Sequence, residues 1–134
     1  MTVGRSTSPT HQIGQKAEEN ALQFLLNQGF QLAAQNYHCQ FGEIDLIVFK
    51  NELLVFVEVR QRKASVFGNA ASSVTAIKQR KICQAAAIFL QTHSQFETFD
   101  CRFDVIAIDV AARTNKVAPE INWIEGAFEA IVTF

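Results

Sequence analysis

The chain has 134 residues, of which 49% are hydrophobic and 12 are phenylalanine, and its formal net charge is −1. This composition predicts a folded domain with a substantial core and excludes an intrinsically disordered chain. The longest unbroken apolar runs, such as Leu53 to Val57, are far shorter than the roughly 20 residues of a membrane-spanning helix. We therefore expect neither a membrane span nor a secretory signal.

Cysteine use and the polar N-terminus set the expected compartment and domain limits. Cys39, Cys83 and Cys101 are odd in number and lack the spacing of metal ligands, so neither a disulfide framework nor a zinc site is expected. We therefore expect the three cysteines to be reduced thiols in the core of a cytoplasmic protein. Residues 1–10 are expected to form a disordered tail, and residues 11–134 a single domain.

Hydrophobic periodicity and turn residues predict the elements in chain order. They are a helix over His11–Gln28 that ends at Gly29, strands over Phe30–Cys39, Gly42–Phe49 and Leu53–Arg60, a long helix from a cap at Ser72 or Ser73 to about Thr92, a strand over Arg102–Val110 and an edge strand over Ile121–Ile124. A strand that follows a long crossover helix predicts a mixed sheet with helices on its faces. The predicted class is therefore α/β.

The second and third strands form a hairpin that pairs two acids. If the turn is centred between Asn51 and Glu52, Asp45 lies directly opposite Glu58. Directly opposed carboxylates repel and destabilise a sheet, whereas a divalent cation between them would justify the arrangement. A loop of three residues would break this match.

Both predicted helices carry charges on their apolar faces. Glu18 falls within the apolar arc of the first helix, and Lys78 and Lys81 fall within that of the second. Glu18 needs a partner there unless it is partly exposed. The lysines either extend from the core to water or reach toward phosphate oxygens or Glu58. Ser73 is first a helix cap and only second a phosphate ligand.

A basic stretch follows the hairpin. The charged residues between Val59 and Phe96 are all cationic: Arg60, Arg62, Lys63, Lys78, Arg80 and Lys81. Cations beside a carboxylate cluster are what an enzyme acting on phosphodiesters requires, although an ordinary solvated charge run is an equal alternative.

These residues together resemble a nuclease signature. Asp45 followed by Glu58-Val59-Arg60 is similar to the PD-(D/E)xK motif, with arginine in the lysine position, and Glu18 is similar to the helix glutamate of archaeal Holliday-junction resolvase-like members. A wider set resembles the YraN-like bacterial family of unknown function: Gly14, Ala17-Glu18, Ala21, Gly42 to Ile47, Phe56 to Arg60, Ser73-Val74, Lys78, Lys81-Ile82 and Arg102 to Val105.

The resemblance implies a restriction-endonuclease-like fold, a central mixed sheet flanked by helices. It implies that Asp45, Glu58 and the backbone carbonyl of Val59 bind Mg²⁺ or Mn²⁺, with Glu18 completing the site directly or through water. The metal would polarise the scissile phosphate and lower the pKa of an attacking water.

Arg60 is the departure from the motif. Arginine stays protonated, so it cannot act as a general base, although it could stabilise charge on a phosphate. A slow nuclease, a different orienting residue (Lys63 or Lys78) and a lost activity all remain open. The hairpin register also places Glu43 opposite Arg60 and predicts that it supports the arginine.

The leading hypothesis is a Mg²⁺- or Mn²⁺-dependent endonuclease that acts on DNA, branched or otherwise structured. Its nucleic-acid contacts would come from Arg62, Lys63, Ser73, Lys78 and Lys81. One alternative is a nucleic-acid-binding protein of the same fold with little or no activity. Another is a protein-interaction module in which the acids and bases form structural ion pairs. A homodimer is left open.

Overall fold

The computed structural model describes residues 9–62, 74–109 and 120–130, and the side chains of 15–61, 74–108 and 120–130. The elements are α1 (Pro9–Asn27), β1 (Gln31–Cys39), β2 (Gly42–Lys50), β3 (Leu53–Arg62), α2 (Ala76–Thr92), a 3₁₀ turn (Ser94–Phe96), β4 (Asp100–Asp109) and β5 (Ile121–Phe128). Neither α1 nor α2 is both long and apolar enough to cross a membrane.

The strands form one five-stranded sheet in the order β1-β2-β3-β4-β5. The pairs β1–β2, β2–β3 and β4–β5 are antiparallel, whereas β3 and β4, which α2 connects, are parallel. The predicted α/β class and mixed sheet are confirmed, and the arrangement is consistent with a restriction-endonuclease-like fold. Helix α1 begins at Pro9, within the segment expected to be a tail, and residues 1–8 lie outside the described part.

Each face of the sheet has its own core. On one face the small buried side chains Ala17 and Ala21 of α1 pack with Leu25 against alternate residues of β2, β3 and β4. On the other face α2 packs against a phenylalanine cluster in which Phe56 stacks on Phe103, with ring centroids 5.3 Å apart. Burial on both faces explains why β2 and β3 are continuous apolar runs rather than alternating ones.

The hairpin between β2 and β3 has the predicted register. Asn51 adopts a positive φ of 56°, which asparagine tolerates better than most residues, and a tight turn results. The paired residues run from Lys50 opposite Leu53 to Leu46 opposite Val57. The ladder therefore brings Asp45 and Glu58 to the same end of the hairpin.

The predicted start of α2 was wrong, whereas its predicted buried face was right for Ile82, Ala85 and Phe89 and wrong for Ile77. Thr75 is the N-cap, and its hydroxyl accepts a hydrogen bond from the backbone N–H of Lys78. A helical wheel counted from Val74 places Ile77 on the same apolar arc as Lys78 and Lys81, yet Ile77 is 63% exposed and Lys81 is also exposed. The buried residues are Ile82, Cys83, Ala85, Ala86 and Phe89. The buried face is rotated toward Cys83 and Ala86 because small side chains let the helix approach the sheet closely.

Asp104 fastens the last strand to the sheet. Its fully buried carboxylate accepts hydrogen bonds of 2.9 Å from Arg102 through two nitrogens, from Trp123 Nε1 and from the backbone N–H of Gly126. The last bond lies where the β4–β5 register shifts between Phe103 and Val105, so the carboxylate fills the irregularity in the ladder.

Replacement of Asp104 by alanine is expected to lower the free energy of unfolding by about 3 kcal/mol, because part-buried donors on β4 and β5 lose a fully buried charged acceptor. Urea denaturation measures the change. Asp100→Ala is the matched control, because Asp100 lies exposed at the start of the same strand. Equal stability of the two variants would show that Asp104 does not hold β5.

Candidate active site

Asp45 lies where the ladder between β2 and β3 ends. Beyond the pair Leu46–Val57, the backbone N–H of Val59 donates to Asp45 Oδ2 at 2.8 Å, so a side chain takes the place of a backbone acceptor. Asp45 is only 7% exposed. The carboxylate is thus fixed by the strand that carries Glu58.

Glu58 is buried and is contacted by two cations. Its residue is 5% exposed, and its Oε2 lies 3.3 Å from Arg60 Nη1 and 3.2 Å from Lys78 Nζ. Arg60 is two residues further on the same strand, so its side chain shares a face with Glu58. Lys78 comes from the first turn of α2, which confirms the interpretation that it reaches toward Glu58.

The electrostatics of Asp45 are strongly perturbed. Burial and then the nearby charge of Glu58 raise the pKa of Asp45 from 3.8 to about 7, against the lowering effect of the Val59 N–H. Glu18 and Glu43 raise the pKa further. Glu18 is half-buried, which is the partly exposed position that was left open for it, and its charge reaches Asp45 from α1.

The carboxylates of Asp45 and Glu58 form a pair that is suited to bind a divalent cation. Among the described residues, no three His, Cys, Asp or Glu side chains form a ready ligand cluster. Mg²⁺ nevertheless keeps several waters and often takes only one or two protein carboxylates. Burial, and then the charge of Glu58, raises the pKa of Asp45 and disfavours its charged form, and a bound cation would offset both effects. Asp45 and Glu58 are the residues that would hold the ion.

The predicted support of Arg60 by Glu43 was wrong. Glu43 Oε1 lies 3.2 Å from His38 Nδ1, its partner across the β1–β2 ladder. Arg60 donates instead to Glu58. The hairpin register alone does not reveal this, because the competing partner comes from the neighbouring strand.

The remaining predicted nucleic-acid contacts divide into two groups. Lys78 reaches the carboxylates, and Lys81 lies exposed one helical turn further along α2. The side chain of Arg62, together with Lys63 and Ser73, lies outside the described residues. The structure thus places Lys78 at the carboxylates and Lys81 one helical turn away on the surface of α2.

An open pocket of about 250 Å³ adjoins the carboxylates. Gly42 and Glu43 at the start of β2 form one side, and residues from Thr75 to Ile82 around the first turns of α2 form the other. Lys78 belongs both to this lining and to the contact with Glu58. The sequence analysis did not predict this pocket. The one signal in the sequence was Ile77, a large apolar residue that directly precedes Lys78 near the start of a helix.

Comparison with known proteins identifies a family. The model of the uncharacterised protein family UPF0102 matches residues 17–108. A UPF0102 protein of Saccharophagus degradans is 49% identical over 118 residues, which cover 88% of this chain and 93% of the relative. A UPF0102 protein of Pseudomonas savastanoi is 45% identical, with 92% and 98% covered. A third, from Psychrobacter cryohalolentis, is 44% identical, with 91% and 83% covered.

The metal-free protein is expected to lose stability as the pH rises from about 4 to about 7. The folded-state pKa of Asp45 is raised to about 7, so the proton stabilises the fold below this range and is lost on crossing it. Asp45→Asn removes this titration. The difference in free energy of unfolding between Asp45→Asn and the parent should therefore increase in favour of the variant by on the order of 2–4 kcal/mol from acid to neutral pH.

Chemical denaturation across this pH range, in the presence of a chelator, measures the effect. Asp100→Asn, an exposed change, serves as the control and should run parallel to the parent. If Asp45→Asn also runs parallel, Asp45 ionises normally in the fold.

Proposed function

The chain belongs to the UPF0102 family, the YraN-like family that its motifs resemble, and we propose that it is a metal-dependent endonuclease that hydrolyses phosphodiester bonds in DNA, branched or otherwise structured. The observation that carries this proposal is the buried pair Asp45 and Glu58 with Lys78 Nζ 3.2 Å from the second carboxylate. Buried like charges beside a cation are costly for a purely structural site and common at catalytic ones.

In this proposal Asp45 and Glu58 hold Mg²⁺ or Mn²⁺, with the Val59 carbonyl and Glu18 as the further ligands that the motif implies. When bound, the ion would polarise a phosphate oxygen and acidify a bound water. Asp45 is well suited to hold it, because the Val59 N–H fixes one oxygen and leaves the other oxygen of the carboxylate for a further partner. A cation would also reverse the raised pKa of Asp45.

Lys78 is the best candidate for the role of the motif lysine. Its ammonium contacts the same oxygen of Glu58 as Arg60 does. An ammonium is a compact donor that can lose a proton when its environment demands it, whereas a guanidinium cannot. We assign Lys78 to orienting the attacking water and Arg60 to neutralising charge on the phosphate.

A second candidate function is nucleic-acid binding without cleavage. The specific observation in its favour is that Glu58 already pairs with Arg60 and Lys78, so its charge is balanced without a metal. A purely structural ion-pair cluster in a protein-interaction module would use the same contacts. The setting that we propose for either activity is the cytoplasm.

The parent protein is expected to cleave flapped or four-way DNA with Mn²⁺ in single-turnover assays. Asp45→Asn and Glu58→Gln should each lower the rate by about 100-fold or more, since each removes a charge that stabilises the reacting centre. Glu97→Gln, an exposed carboxylate after the 3₁₀ turn, is the control.

Calorimetry with Mn²⁺ separates the alternatives. Uptake of the ion without cleavage of any substrate would favour the binding protein, and no uptake at all would favour the ion-pair cluster. Either result would contradict the proposed nuclease.

Arg60 and Lys78 are expected to differ in their tolerance of substitution. Arg60→Lys should retain Mn²⁺ affinity and match or exceed the parental cleavage rate, because a positive charge beside Glu58 is all that this position supplies. Lys78→Ala should lower the rate by about 100-fold with Mn²⁺ affinity unchanged. Arg80→Lys, an exposed position on α2, is the matched control. If Arg60→Lys abolishes a robust activity, arginine is the catalytic group.

A further inference from the structure

The pocket between β2 and α2 has a mixed apolar and cationic lining, of which the proposed cleavage reaction uses only Lys78. Ile77 lines it and is 63% exposed, the most exposed of the large hydrophobic side chains among the described residues. Lys78 and Lys81 line the same space. An apolar surface beside two cations suits a ligand that is partly flat and apolar and partly anionic.

The pocket has a fixed position relative to the carboxylates. Lys78 lines the pocket, and its ammonium lies 3.2 Å from Glu58 Oε2, so Lys78 connects the pocket to the carboxylates. On the β2 side Lys81 lies close to the backbone at Gly42, because an added Cβ at Gly42 would lie 3.4 Å from Lys81 Cβ. The space is therefore part of the same end of the sheet as the site.

We propose that this pocket receives an unpaired nucleobase next to the phosphodiester that is cleaved, which makes unpaired nucleotides the substrate class. The inference rests on the proposed nuclease function. A nucleotide unites a flat apolar base with a phosphate, which matches Ile77 beside Lys78 and Lys81. A base within a duplex is stacked and paired, so it must leave the stack before it can enter a side pocket. Bulges, flaps and loops offer such a base at the lowest cost.

Fluorescence of 2-aminopurine tests the pocket directly. The probe is a short duplex in which 2-aminopurine is either a single-nucleotide bulge or fully paired, titrated with the full chain in EDTA so that no strand is cut. None of the described residues that line the pocket is aromatic, so a base that leaves the DNA stack for the pocket escapes quenching. We expect the bulged probe to brighten on binding and to bind more tightly than the paired probe.

Two variants connect this signal to the pocket. Ile77→Ala should weaken binding of the bulged probe about three- to tenfold through lost apolar contact and leave the paired probe unchanged. Lys81→Ala should reduce the slope of log affinity against log salt by about 0.7–0.9. Leu32→Ala and Arg80→Ala, exposed changes outside the pocket, are the matched controls and should behave as the parent.

The outcomes separate this inference from the proposed function. Equal affinity for the two probes, a bulge preference that Ile77→Ala does not reduce, or no binding of either probe would overturn the pocket assignment. In the first two cases a Mn²⁺ cleavage assay with the same duplexes can still support the nuclease. A bulge preference that depends on Ile77, without cleavage of any DNA, would support the pocket and overturn the nuclease.

Discussion

The site depends on one hydrogen bond in which a side-chain carboxylate, rather than a backbone carbonyl, is the acceptor. At the end of the β2–β3 ladder, the N–H of Val59 is bonded to the side chain of Asp45 rather than to a backbone carbonyl. This bond holds a carboxylate in a buried position beside Glu58, although burial and like charge both oppose ionisation. The backbone ladder can therefore end at Leu46 and Val57 without leaving the N–H of Val59 unsatisfied.

The two cores fix this opening from opposite faces. Small side chains of α1 let that helix lie close to β2 and β3, which brings Glu18 within electrostatic reach of Asp45. The phenylalanine cluster anchors α2 through Phe89, and the first turn of that helix then delivers Lys78 to Glu58. The acids thus come from the sheet and from α1, whereas the lysine that contacts Glu58 comes from α2.

The sheet and the central acids could be predicted from sequence because they follow from local rules. A tight turn at Asn51 and the period of two along a strand set the register, which in turn brings Asp45 and Glu58 together. The rotation of α2 could not be predicted in this way. A helical wheel places Ile77 on the apolar face of the helix, but the small side chains of Cys83 and Ala86 face the sheet and set how closely α2 packs against it. The ion-pair partner of Glu43 could not be predicted either, because His38 comes from a neighbouring strand.

The rotation of α2 has a functional consequence. If the large aliphatic side chains had set the buried face, Ile77 would lie in the core and there would be no apolar lining beside the lysines. Because the small residues face the sheet instead, the first two turns of the helix leave Ile77 and Lys81 exposed while Lys78 still reaches Glu58. The N-cap of Thr75 holds that turn in place through the N–H of Lys78. One helical turn therefore positions both the cation at the carboxylates and the surface on which we propose that a base rests.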